Sequence, residues 1–94
     1  MNFLLVKYKI KHDKIEHFIQ VSNAYIEETR KELLNLSIEY GKIKDKDEFF
    51  FNYRWADKNS YFEHKKTAHF KKFADEITSC LNGNFTPYLI NSLY

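Results

Sequence analysis

A single cysteine, a single proline and only two glycines in 94 residues remove several common routes to a stable small protein. With Cys80 alone, an internal disulfide is impossible, which excludes the stapled secreted scaffolds and fits a reducing, cytoplasmic compartment. Cys80 falls at the end of a predicted helix and reads as a small apolar filler rather than a nucleophile. Charge of one sign is also missing. Fifteen basic residues against 13 acidic ones leave a net charge of +2, too small a field to recruit nucleic acid or an anionic membrane. The apolar run Phe3-Leu4-Leu5-Val6 meets Lys7 at once, too short for the core of a signal peptide or a membrane span. No repeat, low-complexity tract or linker divides the chain, so residues 1–94 are expected to form one domain.

Aromatics are plentiful: nine Phe, seven Tyr and one Trp. Each can hide about 150–250 Å², whereas a chain of this length buries only about two-thirds of its unfolded surface. A second copy is expected to cover the remainder, making the protein a homodimer.

Residues 3–10 read as a strand, buried on both sides at its start. Asp13 followed by Glu16 has the spacing of a capping box opening a helix. Ile15, Phe18, Ile19, Ser22, Tyr25, Ile26, Thr29 and Leu33 then recur at three and four residues as one apolar stripe. Leu36, Ile38 and Tyr40 alternate as a strand, residues 41–47 form a polar hairpin tip, and residues 48–55 return as its partner. On that partner Phe49, Phe51, Tyr53 and Trp55 share one face, and Phe50, Asn52 and Arg54 the other. Asp57 can cap a short helix near 57–65, and Thr67 a second helix with the stripe Phe70, Phe73, Ala74, Ile77 and Leu81. Asn82-Gly83 would end that helix with a left-handed cap, and Pro87 would put the last strand, Tyr88 to Tyr94, at a sheet edge or a strand start.

The order strand, helix, strand, strand, helix, strand is an α+β, ferredoxin-like βαββαβ arrangement, with a four-stranded antiparallel sheet carrying helices on one face. The other face would be hidden if two sheets from two chains packed together, leaving a pocket between sheet and helices in each protomer.

The segment ending in Trp55, the start at Asp57 and the run His64-Lys65-Lys66-Thr67-Ala68-His69-Phe70-Lys71-Lys72-Phe73 resemble the antibiotic biosynthesis monooxygenase superfamily of dimeric α+β barrels. The resemblance covers nearly the whole chain. It implies a dimeric barrel and an activity among small cofactor-independent quinol or anthrone monooxygenases, haem-degrading members, or an isomerase of a phosphorylated autoinducer. The run from His64 to Lys71 and the tail from Leu89 to Leu93 are similar to the isomerase subgroup, and Trp55 to the monooxygenases. Where many members carry Tyr-Glu, this chain has Asn52-Tyr53.

A pocket that activates a phenol towards O2 needs a base with a pKa near working pH, donors for the developing oxyanion and walls that exclude water. His64 is the candidate base; its alternative is to pin the helix break through a backbone carbonyl. His69, in a helix's first turn, is favoured as neutral imidazole and is the second catalytic candidate, or packs beside Phe73. Trp55, with Phe51 and Tyr53, supplies a flat apolar wall, or anchors the core. Asn52 could orient a carbonyl and Arg54 an anion, and Lys65 could attract a phosphate, though each also suits a solvated face. His64 and His69 are five residues apart, as are His12 and His17, so neither pair has the four-residue spacing of helical metal ligands, and no metal or other cofactor is expected. The expected partners are a small-molecule substrate and O2, with an isomerase of a small phosphorylated hydroxy-carbonyl compound or a non-catalytic ligand-binding module as alternatives.

Overall fold

The computed structural model describes residues 2–93. Four strands, β1 (Asn2–Lys9), β2 (Asn35–Lys42), β3 (Glu48–Trp55) and β4 (Thr86–Asn91), form one sheet in the order β2-β3-β1-β4. All three pairings are antiparallel, which is the ferredoxin-like topology. Helices α1 (Ile15–Arg30) and α3 (Ala68–Ile77) pack on one face, and α2 (Lys58–His64) follows β3 at the sheet's end.

The two-residue period of the strands sorts the side chains. Leu4, Val6, Tyr8, Ile38, Phe49, Phe51, Tyr53 and Trp55 are buried under the helices. From α1 come Phe18, Ser22, Tyr25, Ile26 and Thr29, and from α3 Phe73 and Ile77, the interior rows of the two amphipathic patterns. Phe51 sits at the centre, its ring edge-on to Tyr8 at 5.6 Å and 5.6 Å from Phe73. Each such ring hides about 150–250 Å², so this cluster carries much of the stability of so short a chain.

The expected barrel is not formed. The sheet is open, because its hydrogen-bonded order ends at β2 on one side and β4 on the other. Four strands are too few to close on themselves, since about eight are needed to surround even a side-chain-filled interior. β4 is an edge strand, mostly exposed, with Leu89 64 % accessible. It takes Pro87 as its second residue, opposite Val6 of β1, rather than beginning after it.

Smaller expectations also shift. Asp13 does not cap α1: His12–Lys14 form a 3-10 turn, the cap position is Lys14, and no side chain bonds there. Leu33 lies beyond the helix and is 94 % exposed. The second long helix stops at Ile77 rather than at Gly83, because the chain turns through Thr78–Cys80 to bridge back to β1. Leu81 pairs with Ile10, and Lys11 N–H donates to the Cys80 carbonyl at 2.8 Å. Gly83, at φ +97°, supplies the left-handed turn that leads into β4 instead. Cys80 is fully buried.

Candidate functional site

Three short-range devices bring the site residues together. Asp57 accepts from the Ser60 N–H at 2.9 Å and starts α2. Thr67 accepts from the Phe70 N–H at 3.2 Å to start α3, while its own hydroxyl donates to the His64 carbonyl at 2.7 Å. That one side chain therefore fixes the end of α2 against the beginning of α3, and with them the separation of His64 and His69. In α1, the Thr29 hydroxyl donates to the Tyr25 carbonyl at 2.8 Å, and the turn that follows the helix presents Glu32.

His64 is completely buried, so both ring nitrogens need partners. Nδ1 lies 2.6 Å from Glu32 Oε2, and Nε2 lies 2.7 Å from the Tyr25 hydroxyl. A carboxylate only accepts, which assigns the His64 proton to Nδ1 and leaves the lone pair on Nε2. The Tyr25 hydroxyl then donates to Nε2, and the Tyr53 hydroxyl, 2.8 Å away, donates to Tyr25. On the other side, His69 Nε2–H donates to the same Glu32 Oε2 at 2.8 Å. The result is a continuous chain from His69 through Glu32, His64 and Tyr25 to Tyr53.

Burial holds the His64 pKa below its usual value, against the opposing pull of the Glu32 hydrogen bond and charge. This keeps the imidazole neutral and basic at Nε2. Burial pushes the Tyr53 hydroxyl well above the ordinary tyrosine range, and does the same to Tyr25 against the hydrogen bond from Tyr53. Both phenols therefore stay protonated, as members of a relay rather than as anions.

Two abutting cavities flank this chain. One of about 270 Å³ is lined by His64, Tyr53, Lys65, Phe70 and Phe73, with Tyr61, Leu4 and Pro87 on its border. The other, about 590 Å³, shares those three border residues and adds Trp55, Phe3, Phe62 and Leu89. The Trp55 ring lies 4.8 Å from that of His64, and its Nε1–H is buried with no hydrogen-bond partner among the described residues. The Tyr25 ring stacks on Phe73 at 3.9 Å, which holds its hydroxyl in place.

Of the residues singled out in the sequence, the structure brings His64, His69, Tyr53 and Trp55 together, with Lys65 at the wall and its ammonium 5.0 Å from the Tyr61 ring. Phe51 is fully buried behind them and lines neither cavity. Asn52 and Arg54 point to the opposite sheet face, as the alternation of β3 requires, and line neither cavity. There the Arg54 guanidinium covers the Phe3 ring at 4.7 Å. Sequence pattern alone does not mark Tyr25 or Glu32 as site residues. Tyr25 looks like one more core position of the α1 stripe, and only its polar tip in a buried row hinted otherwise. Glu32 sits in a turn that no periodicity marks.

The profile of the family described as antibiotic biosynthesis monooxygenase matches residues 1–76. Among solved structures, one of an antibiotic biosynthesis monooxygenase superposes with a TM-score of 0.95 at 22% identity over 100% of both chains. A conserved protein from Methanosarcina mazei Go1 gives 0.89 at 21% identity, over 95% of this chain and 89% of that one. A Pseudomonas aeruginosa protein gives 0.90 at 18%, over 99% and 94%. At these identities the superpositions establish the fold. No curated protein sequence matches the chain.

Proposed function

The chain belongs to the antibiotic biosynthesis monooxygenase family, and from that premise we propose that it is a cofactor-independent monooxygenase oxidising a small quinol-like or polycyclic phenolic substrate with O2. The observation that carries this reading is the unbroken hydrogen-bond chain from Glu32 through His64 and Tyr25 to Tyr53, which runs alongside an apolar cavity. Ground-state O2 is a triplet, so a closed-shell phenol must first become an electron-rich phenolate. The substrate hydroxyl gives its proton to Tyr53 while Tyr53 passes its own to Tyr25, and Tyr25 its own to His64 Nε2. No tyrosinate forms, and the imidazolium faces the Glu32 carboxylate. The phenolate then passes one electron to O2 and the radical pair closes as a carbon–oxygen bond. The His64 proton returns to the peroxide, and loss of water leaves a new carbonyl.

His69 holds Glu32 in place. The Trp55 indole N–H, buried and without a partner among the described residues, is a donor for a substrate or peroxide oxygen, and Phe51 backs the wall behind Phe73 and Tyr8. Aerobic incubation with menadiol or an anthrone should consume O2 faster than the uncatalysed blank, and His64→Ala should lose that excess by about 10²–10⁴-fold. Equal rates with and without protein would remove this reading.

The protein acts in the cytoplasm as a homodimer, in which each copy covers the other's open sheet face. That face carries Leu5, Phe50 and Ile90, and sedimentation of a monomer at micromolar concentration would refute the pairing. Lys65 beside His64 in one cavity favours a second reading, an isomerase of a phosphorylated hydroxy-carbonyl compound. In that case His64 would move a proton between adjacent carbons, giving solvent deuterium exchange without O2 uptake.

A further inference from the structure

We infer that Glu32, His64 and His69 form a site for one first-row divalent metal ion of the zinc class, bound by two imidazoles and one carboxylate with a coordination position left open. The three residues come from separate segments, the turn after α1, the last residue of α2 and the first turn of α3. Even so, one ligand atom from each lies within 4.8 Å of the other two. Both imidazole nitrogens converge on the same carboxylate oxygen, at 2.6 and 2.8 Å. Nitrogen and oxygen ligands bind zinc at about 2.0–2.2 Å, which sets tetrahedral neighbours roughly 3.3–3.5 Å apart. Seating an ion therefore needs each histidine to draw back from Glu32 by less than about 1 Å. Two histidines with one carboxylate is the donor set of open zinc and non-haem iron sites.

The outer shell of His64 is already built. A ligating histidine needs its second nitrogen held, and His64 Nε2 lies 2.7 Å from the Tyr25 hydroxyl. Coordination through Nδ1 would move the His64 proton to Nε2, which would then donate to Tyr25. The Tyr25 hydroxyl would turn to donate to Tyr53, 2.8 Å away, and that of Tyr53 would turn towards the cavity it lines. The hydroxyl chain thus reverses with its internal bonds kept. An ion can enter through the cleft of about 290 Å³ between α1 and α3, which His69 lines. A bound ion would also take the lone pair from Nε2, so an occupied site and a His64 acting as base exclude each other.

Binding is measured directly, so the result is independent of any activity. The full-length protein, stripped with a chelator, is titrated with ZnCl2 by calorimetry and with CoCl2 by visible absorption. One ion per chain is expected, with cobalt bands of a low-coordinate nitrogen and oxygen site and a rise in melting temperature on adding zinc. Glu32→Gln and His69→Gln should each bind at least about tenfold more weakly, while His12→Gln and His17→Gln bind like the unaltered protein. His69 is only half-buried, so His69→Gln keeps the fold, which circular dichroism checks. Absence of stoichiometric binding, or binding undiminished in either ligand variant, would overturn the assignment.

Discussion

Replacing Tyr25 by Phe keeps the ring that stacks on Phe73 and deletes one oxygen, the atom that bridges His64 Nε2 and the Tyr53 hydroxyl. His64 is completely buried with its other nitrogen held by Glu32, so Nε2 finds no new partner, whereas the Tyr53 hydroxyl can turn only towards the cavity it lines. Leaving a buried polar group unpaired costs about 1–3 kcal/mol, which applies to His64 Nε2, and Tyr53 loses one further hydrogen bond worth about 0.5–1.5 kcal/mol. The hydroxyl removed no longer has to be desolvated, which offsets part of this and leaves an expected loss of about 2–4 kcal/mol. For a domain of this size that corresponds to roughly 10–25 °C in melting temperature. Tyr53→Phe is the internal control. It removes only the end of the chain, Tyr25 still donates to His64, and the loss should be about 0.5–1.5 kcal/mol. The Tyr25–Tyr53 hydrogen bond is lost in each single variant but only once in the double variant, so the double loss should fall short of the sum of the two single losses. Urea unfolding of the four proteins at one fixed concentration reads all three quantities, because association would otherwise shift the midpoints. A Tyr25→Phe loss no larger than that of Tyr53→Phe, or strict additivity in the double variant, would refute the bridging role.

The remaining expectations concern pH, capping and the indole. Because burial lowers the His64 pKa below its ordinary 6.5, the folded state binds fewer protons than the unfolded one. The stabilisation is full above that value and is lost as pH falls towards the lowered folded value. Urea midpoints taken from about pH 8 to about pH 5 should decline more steeply than in His64→Gln, and an identical slope would count against it. Thr67→Ala removes both the α3 cap and the tie to the His64 carbonyl, and should cost about 1–2 kcal/mol by thermal melting. Trp55→Phe removes an N–H that has no partner among the described residues. Stability should therefore change by less than about 1.5 kcal/mol while O2 uptake with menadiol slows, and unchanged turnover would exclude the indole as a donor.

What was legible in the sequence was what depends on near neighbours. β3 has the predicted limits, 48–55, because eight residues alternate without interruption. The caps at Asp57 and Thr67 hold as predicted, because a cap is decided within three residues. The alternation of β3 also settled a question that chemistry alone answered badly. Asn52 and Arg54 are attractive polar groups, but they stand one residue out of phase with Phe51, Tyr53 and Trp55, and a strand sends such residues to the other face. Barrel closure, by contrast, depends on what pairs with the edges of β2 and β4, and no pattern within one chain encodes that. The last long helix ends short of its apolar stripe, at Ile77, for a related reason. Its apolar stripe runs on to Leu81, but the Ile10–Leu81 bridge claims that residue for the sheet edge.

Glu32 shows where a purely local reading stops. Its position in a turn carries no periodicity, and its two histidine partners lie 32 and 37 residues away. A constraint was nevertheless available from the other end. A histidine placed where a short helix folds back onto an aromatic sheet loses water at both nitrogens, and each must then find a partner. Within such a core the partners have to come from side chains with polar tips on apolar stems, which singles out the tyrosines of the inward rows and a carboxylate at a helix end. Tyr25 meets the first condition by its place in the α1 stripe, and Tyr53 by its place on β3. Glu32 meets the second, two residues past the last turn of the helix that carries Tyr25. The demand of one buried ring for two hydrogen bonds thus links α1, β3, α2 and α3 at a single point.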